Sequence, residues 1–257
     1  MVTLFVVVLL LFELVSCASL FGVVQYSVQK DNEAVFQEAD VSATAQVKDS
    51  ITAQVQANAT ARTLANAYPI AYPPKNTSPV LDDPLQDNSR GYKWEEGTGN
   101  GDCKFINQTY DINTYDQLCP ARTMDFTDFI YEVQMKIVKG DGGGIAFRID
   151  PTSDYPSGYY SFAINQDGSY SVQDANGSLV LAQGSSLAAI HRGLNQTNLV
   201  AAVVHGNIIE LYVNHQRVAV VGSSSTYTHG WIGVIVTGSS GSNQTEVIFQ
   251  NAKVWRL

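Results

Sequence analysis

Charge is scarce in this chain: of 257 residues only 15% are Asp, Glu, Lys or Arg, and the 24 acidic side chains outnumber the 15 basic ones for a formal net charge of −9. No run of Lys or Arg occurs, and a surface that displaces counterions from phosphate needs such a cluster. Nucleic acid is therefore not an expected partner, and the same acidity argues against docking on anionic headgroups by charge alone. Cysteine is equally sparse, at three residues, and histidine stands at four. His191, His205, His215 and His229 fall at or near turns with no pair at helical metal spacing, which removes the usual zinc arrangements. No serine sits in a nucleophile-elbow context.

Long apolar runs are confined to the start. Val2 to Val28 is apolar almost throughout, broken by Glu13, and the first basic residue is Lys30. That length spans a bilayer. Leu14-Val15-Ser16-Cys17 is also similar to a lipoprotein cleavage site, and a cleaved signal is the third reading, although the basic n-region is missing. Each places the remainder outside the cytoplasm: the expected location is the cell membrane, single-pass, or else a lipoprotein or secreted chain. With Cys17 in the apolar segment, Cys103 and Cys119 form an isolated pair. In an oxidising compartment they close a short loop by a disulfide that stabilises by about 3 kcal/mol, two free thiols being the alternative.

Composition divides the chain into an anchor at 1–28, an Ala/Gln/Thr-rich stalk with a proline-rich linker at 29–79, and a folded region at 80–257. In the stalk Ala43, Val47, Ile51, Val55 and Ala59 recur every four residues, a stripe compatible with helix but too thin to build a core. Five of the eight prolines, at 69, 73, 74, 79 and 84, then stop any helix. Beyond Val80 the period changes to two. Phe129, Tyr131, Val133, Met135 and Ile137 share one face of a strand, and Glu132, Gln134 and Lys136 occupy the other, read as wet. Ile145, Phe147 and Ile149 alternate likewise, as do Tyr160, Phe162 and Ile164. Asp167-Gly168, Gly206-Asn207 and Asn214-His215 supply hairpin turns, and Leu199 to Val204, Ile208 to Val213, Gln216 to Val221 and Gly230 to Val236 read as further strands. Roughly a dozen short strands without a convincing helix among them predict an all-β fold, two antiparallel sheets packed as a sandwich, after an apolar N-terminal helix and a partly helical stalk.

Gly143-Gly144-Ile145-Ala146-Phe147-Arg148 followed by Gly158-Tyr159-Tyr160 resembles the mid-domain signature of concanavalin A-like lectin/glucanase jelly rolls of the laminin G and 3-keto-disaccharide hydrolase type. The meander from Asn198 to Val218, Gly230-Trp231-Ile232-Gly233-Val234, and Phe249-Gln250-Asn251-Ala252-Lys253-Val254 resemble further pieces of the same family in the same order. The anchor, stalk and proline break are similar to ectodomains of bacterial membrane-anchored proteins, some of which carry a serine/threonine kinase domain. The resemblance implies recognition of glycan or cell-envelope polysaccharide. Glucanases of this fold carry an E-x-D-x-x-E triplet on one strand. Here Glu132-Val133-Gln134-Met135 lacks its partners, so catalysis is not expected. The alternatives are hydrolysis of a modified disaccharide and a sensory or structural ectodomain that binds protein.

Five residues form the expected ligand-binding set. Arg148 offers bidentate hydrogen bonds, Tyr155 and Tyr159 concentrate rings beside polar groups, Trp94 offers a further ring, and Asp150 an acceptor. Asp141 and Asp150 are oxygen donors of the kind calcium takes, though no cofactor is expected. Asn58, Asn76, Asn107, Asn176, Asn195 and Asn243 each begin an N-x-S/T triplet, which matters only in a eukaryotic secretory pathway.

Overall fold

A computed structural model describes residues 43–97, 103–152, 158–174, 179–223, 227–238 and 244–257. The apolar anchor, Tyr155, Asn176 and Asn243 lie outside the described residues. Helix α1 covers 43–67, and no helix among the described residues is long and apolar enough to cross a membrane. Fourteen strands follow: β1 Leu81–Asp83, β2 Lys104–Ile106, β3 Thr109–Thr114, β4 Gln117–Phe126, β5 Phe129–Lys139, β6 Gly142–Ile149, β7 Tyr160–Asn165, β8 Tyr170–Asp174, β9 Val180–Gly184, β10 Thr197–His205, β11 Ile208–Val213, β12 Gln216–Gly222, β13 Gly230–Thr237 and β14 Thr245–Arg256.

They form two antiparallel sheets, as the period-two pattern requires. One runs β12-β11-β10-β5-β14-β3-β2, with β1 also on β14, and the other runs β4-β13-β6-β7-β8-β9. The register follows turn chemistry. Asn214 and His215 take φ of 50° and 64°, and Asn107 and Gln108 take 51° and 62°, the paired positive angles of a two-residue hairpin. Between the sheets Tyr110, Phe126, Phe129, Tyr131, Phe147, Tyr160, Phe162 and Phe249 are buried completely. Each such ring contributes roughly 2–3 kcal/mol by leaving water. The Tyr131 hydroxyl crosses the layer to donate to Gly233 O at 3.0 Å. Cys103 and Cys119 are joined by a disulfide.

Two face assignments read from the sequence change. Arg148 is not on a polar face. Ile232 pairs with Phe147 and Trp231 with Ile149, so Arg148 is the extra residue of a bulge. Its φ of 50° turns the side chain into the end of the sandwich, where it is 2% exposed. Nη1 donates to Tyr227 O, and Nη2 donates to Thr127 O and Gly206 O. Its charge partner is Asp128 at 3.7 Å. Gly230 makes the bulge feasible, because at its φ of 151° a Cβ would collide with Ile149 O.

The second change concerns the outer face of the eight-stranded sheet, which is covered. Tyr72 donates its hydroxyl to Glu132 Oε2 at 2.8 Å, and Ile70 and Tyr72 pack on Ile130, Ala201, Val203, Tyr212 and Trp255. Glu132 is consequently 8% exposed. Farther along, α1 lies on the edge where both sheets end: Asn58 Nδ2 donates to Leu181 O of β9 at 2.7 Å, and its Oδ1 accepts from Gly222 N of β12 at 3.0 Å. Ala61 and Ala65 are buried against Val220 and Ile208. The stripe of Val47, Ile51 and Val55, too thin to build a core, is more than half exposed.

Candidate functional site

The outer face of the six-stranded sheet is built from small residues. Ile145 and Phe147 belong to the central core, so by the alternation of a strand Gly144 and Ala146 point the other way. Ala163 of β7 and Ile235 of β13 join Ala146 and Ile149 there, flanked by Leu118, Tyr159 and Trp231. Arg122 lies 5.2 Å over the Trp231 ring and pairs with Glu95. Burial, and then Asp116, raise the pKa of Tyr159, so it stays a neutral hydrogen-bonding group at any ordinary pH.

Toward the β7–β8 hairpin the same face becomes polar. A cleft of about 540 Å³ is lined by Asp141, Asn165, Gln166, Asp167, Thr237 and Gly238. A second, of about 520 Å³, is lined by Asn165, Ser169, Ser171, Gln183 and Ser185 among others. Asn165 lines both, so the two adjoin across β7, β8 and β9 as a polar trough. Its groups are held in place. Asn165 Nδ2 donates to Ser169 Oγ at 2.9 Å, and Gln166 Nε2 donates to Gly140 O at 2.8 Å. Gly142 is required beneath Asn165, because a Cβ there would meet Asn165 Oδ1. Hydrogen bonds from the Ser169 hydroxyl and backbone keep the Asp167 carboxyl below the ordinary carboxylate range. Amides, hydroxyls and carboxylates spread over two such clefts suit a ligand that presents many hydroxyls.

The sequence-predicted residues separate. Arg148 and Asp150 line a smaller recess of about 230 Å³ with Thr152, Tyr227 and His229. Thr152 bonds to Asp150 and lowers its pKa, and His229 Nδ1 stands 2.8 Å from Asp125 Oδ2. Tyr159 belongs to the apolar end of the outer face. Trp94 is 2% exposed and donates its indole N–H to Asp83 Oδ2 at 3.0 Å, so it presents no ring to a ligand. Asn165, Gln166, Ser171 and Gln183 were not singled out from sequence. Their only signal was parity: Ser161, Ala163 and Asn165 alternate with the apolar residues of β7. Among the described residues no cluster of three His, Cys, Asp or Glu is arranged to hold a metal.

No known family profile matches the chain, and no curated protein matches it. Solved structures do. The carbohydrate binding module CBM66 from Bacillus subtilis is 18% identical over 60% of this chain and 91% of its own, with a TM-score of 0.50. A protein of unknown function with a galectin-like fold, also from Bacillus subtilis, is 13% identical over 71% and 97%, with a TM-score of 0.53. The beta-glucanase of Bacillus licheniformis is 12% identical over 71% and 100%, with a TM-score of 0.52. At these identities the likeness establishes the fold: the sandwich is of the concanavalin A-like, galectin-like class.

Proposed function

We propose that this chain is a membrane-tethered, extracytoplasmic binding module whose trough on the six-stranded sheet takes a glycan or cell-envelope polysaccharide. The observation that carries the reading is that two polar clefts adjoin at Asn165 on one sheet face. A row of fixed amides and hydroxyls recognises sugar hydroxyls by direct hydrogen bonds, each contributing about 1 kcal/mol, and affinity accumulates along a polymer. The fold's appearance in a carbohydrate binding module supports the same reading. Tyr159, at the apolar end of the face, extends it toward the edge that Tyr155 was expected to furnish.

Binding is favoured over hydrolysis by the state of the carboxylates. A glycosidic general acid needs a raised pKa; Asp167, one of the two carboxylates lining the clefts, is held below its ordinary range, and Asp116, raised by burial, does not line them. Polysaccharide pull-down and calorimetry on the full chain test the proposal. Gln183→Ala combined with Asn165→Ala should weaken binding by about tenfold or more, with the melting curve of Gln183→Ala alone unchanged. Indifference to every glycan, or affinity untouched by the pair, would remove the reading. Membrane tethering is checked separately, by whether the chain partitions with membranes until residues 1–28 are deleted.

A further inference from the structure

On the opposite side of the molecule, under the C-terminal end of α1 and the segment that follows it, lies a separate cavity of about 200 Å³. Leu64, Ile70, Val203 and Ile208 supply its apolar walls. A dry apolar cavity of about 150 Å³ already holds a benzene-sized molecule. This one is not wholly apolar, because Glu210 lines it and is only 3% exposed. Its hydrogen bonds, from the Tyr212 hydroxyl at 3.2 Å and Arg217 Nη1 at 2.7 Å, both end on Oε2. Among the described residues none ends on Oε1. Oε1 is thereby left open to a donor brought by an occupant.

The chemistry of the walls selects the occupant. No Lys or Arg lines the cavity, and its histidine, His205, is held by Asp128 at 3.3 Å. An anion would face Glu210 directly. A hydrocarbon would fill the walls and leave Oε1 without a partner. A protonated amine on a short hydrocarbon body satisfies both. We propose that this cavity binds a small organic ammonium ion, its charged head on Glu210 Oε1 and its hydrocarbon against Leu64, Ile70, Val203 and Ile208.

Calorimetry of the full chain with n-pentylammonium, 1-pentanol and hexanoate tests it at constant ionic strength. Saturable binding of the ammonium, about tenfold or more weaker binding of the alcohol, and none of hexanoate are expected. Glu210→Gln should cost about tenfold for the ammonium alone. Val203→Phe, which fills the cavity from the strand beside Glu210, should abolish binding of ammonium and alcohol alike while near-UV circular dichroism reports an intact core. Equal affinity for ammonium and alcohol, no saturable binding of the ammonium, or full affinity in a folded Val203→Phe protein would overturn the proposal.

Discussion

Arg148 acts through geometry that no local rule announces. Its guanidinium ties together three carbonyls, one from the β4–β5 turn, one from the β10–β11 turn and one from the loop before β13. Burial lowers its pKa, while Tyr160 and Asp128 oppose the shift. Arg148→Ala should therefore cost about 3 kcal/mol or more in urea unfolding, because it leaves three acceptors unpaired in a closed end. Arg148→Lys should recover little of this, since one ammonium cannot reach all three. Sequence parity placed Arg148 among outward residues because a single-residue bulge inverts every later position. Nothing in Gly-Gly-Ile-Ala-Phe-Arg marks where that bulge falls. Asp111 presents a different case. Burial first, and Glu246 second, raise its pKa, against a smaller lowering by Lys104, and its Oδ1 is buried without a hydrogen-bond partner among the described residues. With the folded pKa above the unfolded one, the stabilising contribution is complete below the ordinary carboxylate range and is lost as pH rises through the folded value. Asp111→Asn should thus be more stable than the parent at pH 7, and the gap should close below about pH 4, as read by paired melts.

Among the elements, α1 departs furthest from its sequence reading. The four-residue repeat of Val47, Ile51 and Val55 indicates a helix and, being thin, builds no core, but the stalk reading gave no sign that this helix docks by other side chains. These are small and polar: Ala61 and Ala65 allow close approach, and Asn58 bonds to one strand of each sheet. Those two strands, β9 and β12, end their sheets, and a helix laid on such edges blocks further strand addition. Asn58→Ala should lower stability by about 1–2 kcal/mol. Val47→Ser and Ile51→Ser should stay within about 0.5 kcal/mol, a contrast that chemical denaturation measures directly. Most strands from β5 onward were legible, since period two and Asn/Gly turns are local properties, whereas β1 to β4 and β9 were not read. The trough was not, because its polar residues differ from ordinary wet-face residues only in being fixed by partners such as Ser169 and Gly140.

At the scale of the molecule, the proline-rich stretch looks like a boundary and behaves as a cover. Tyr72 meets Glu132, and Trp255 donates its indole N–H to Thr77 O at 3.2 Å. A chain begun at Val80 should expose Ile130, Val203 and Trp255 together, melt earlier than the full chain, and enhance the fluorescence of an apolar dye. Composition could not show this, since Glu132, Gln134 and Lys136 carry the pattern of a solvated surface and their cover comes from 60 residues away. The position of β14 has a consequence of another kind. It lies between β5 on one side and β3 and β1 on the other, so neighbours in space are joined by the last strand to be synthesised. At ribosomal speeds the earliest strand waits on the order of ten seconds for its partner. During that interval β5 presents a long unpaired flank, an edge that other nascent copies can pair with.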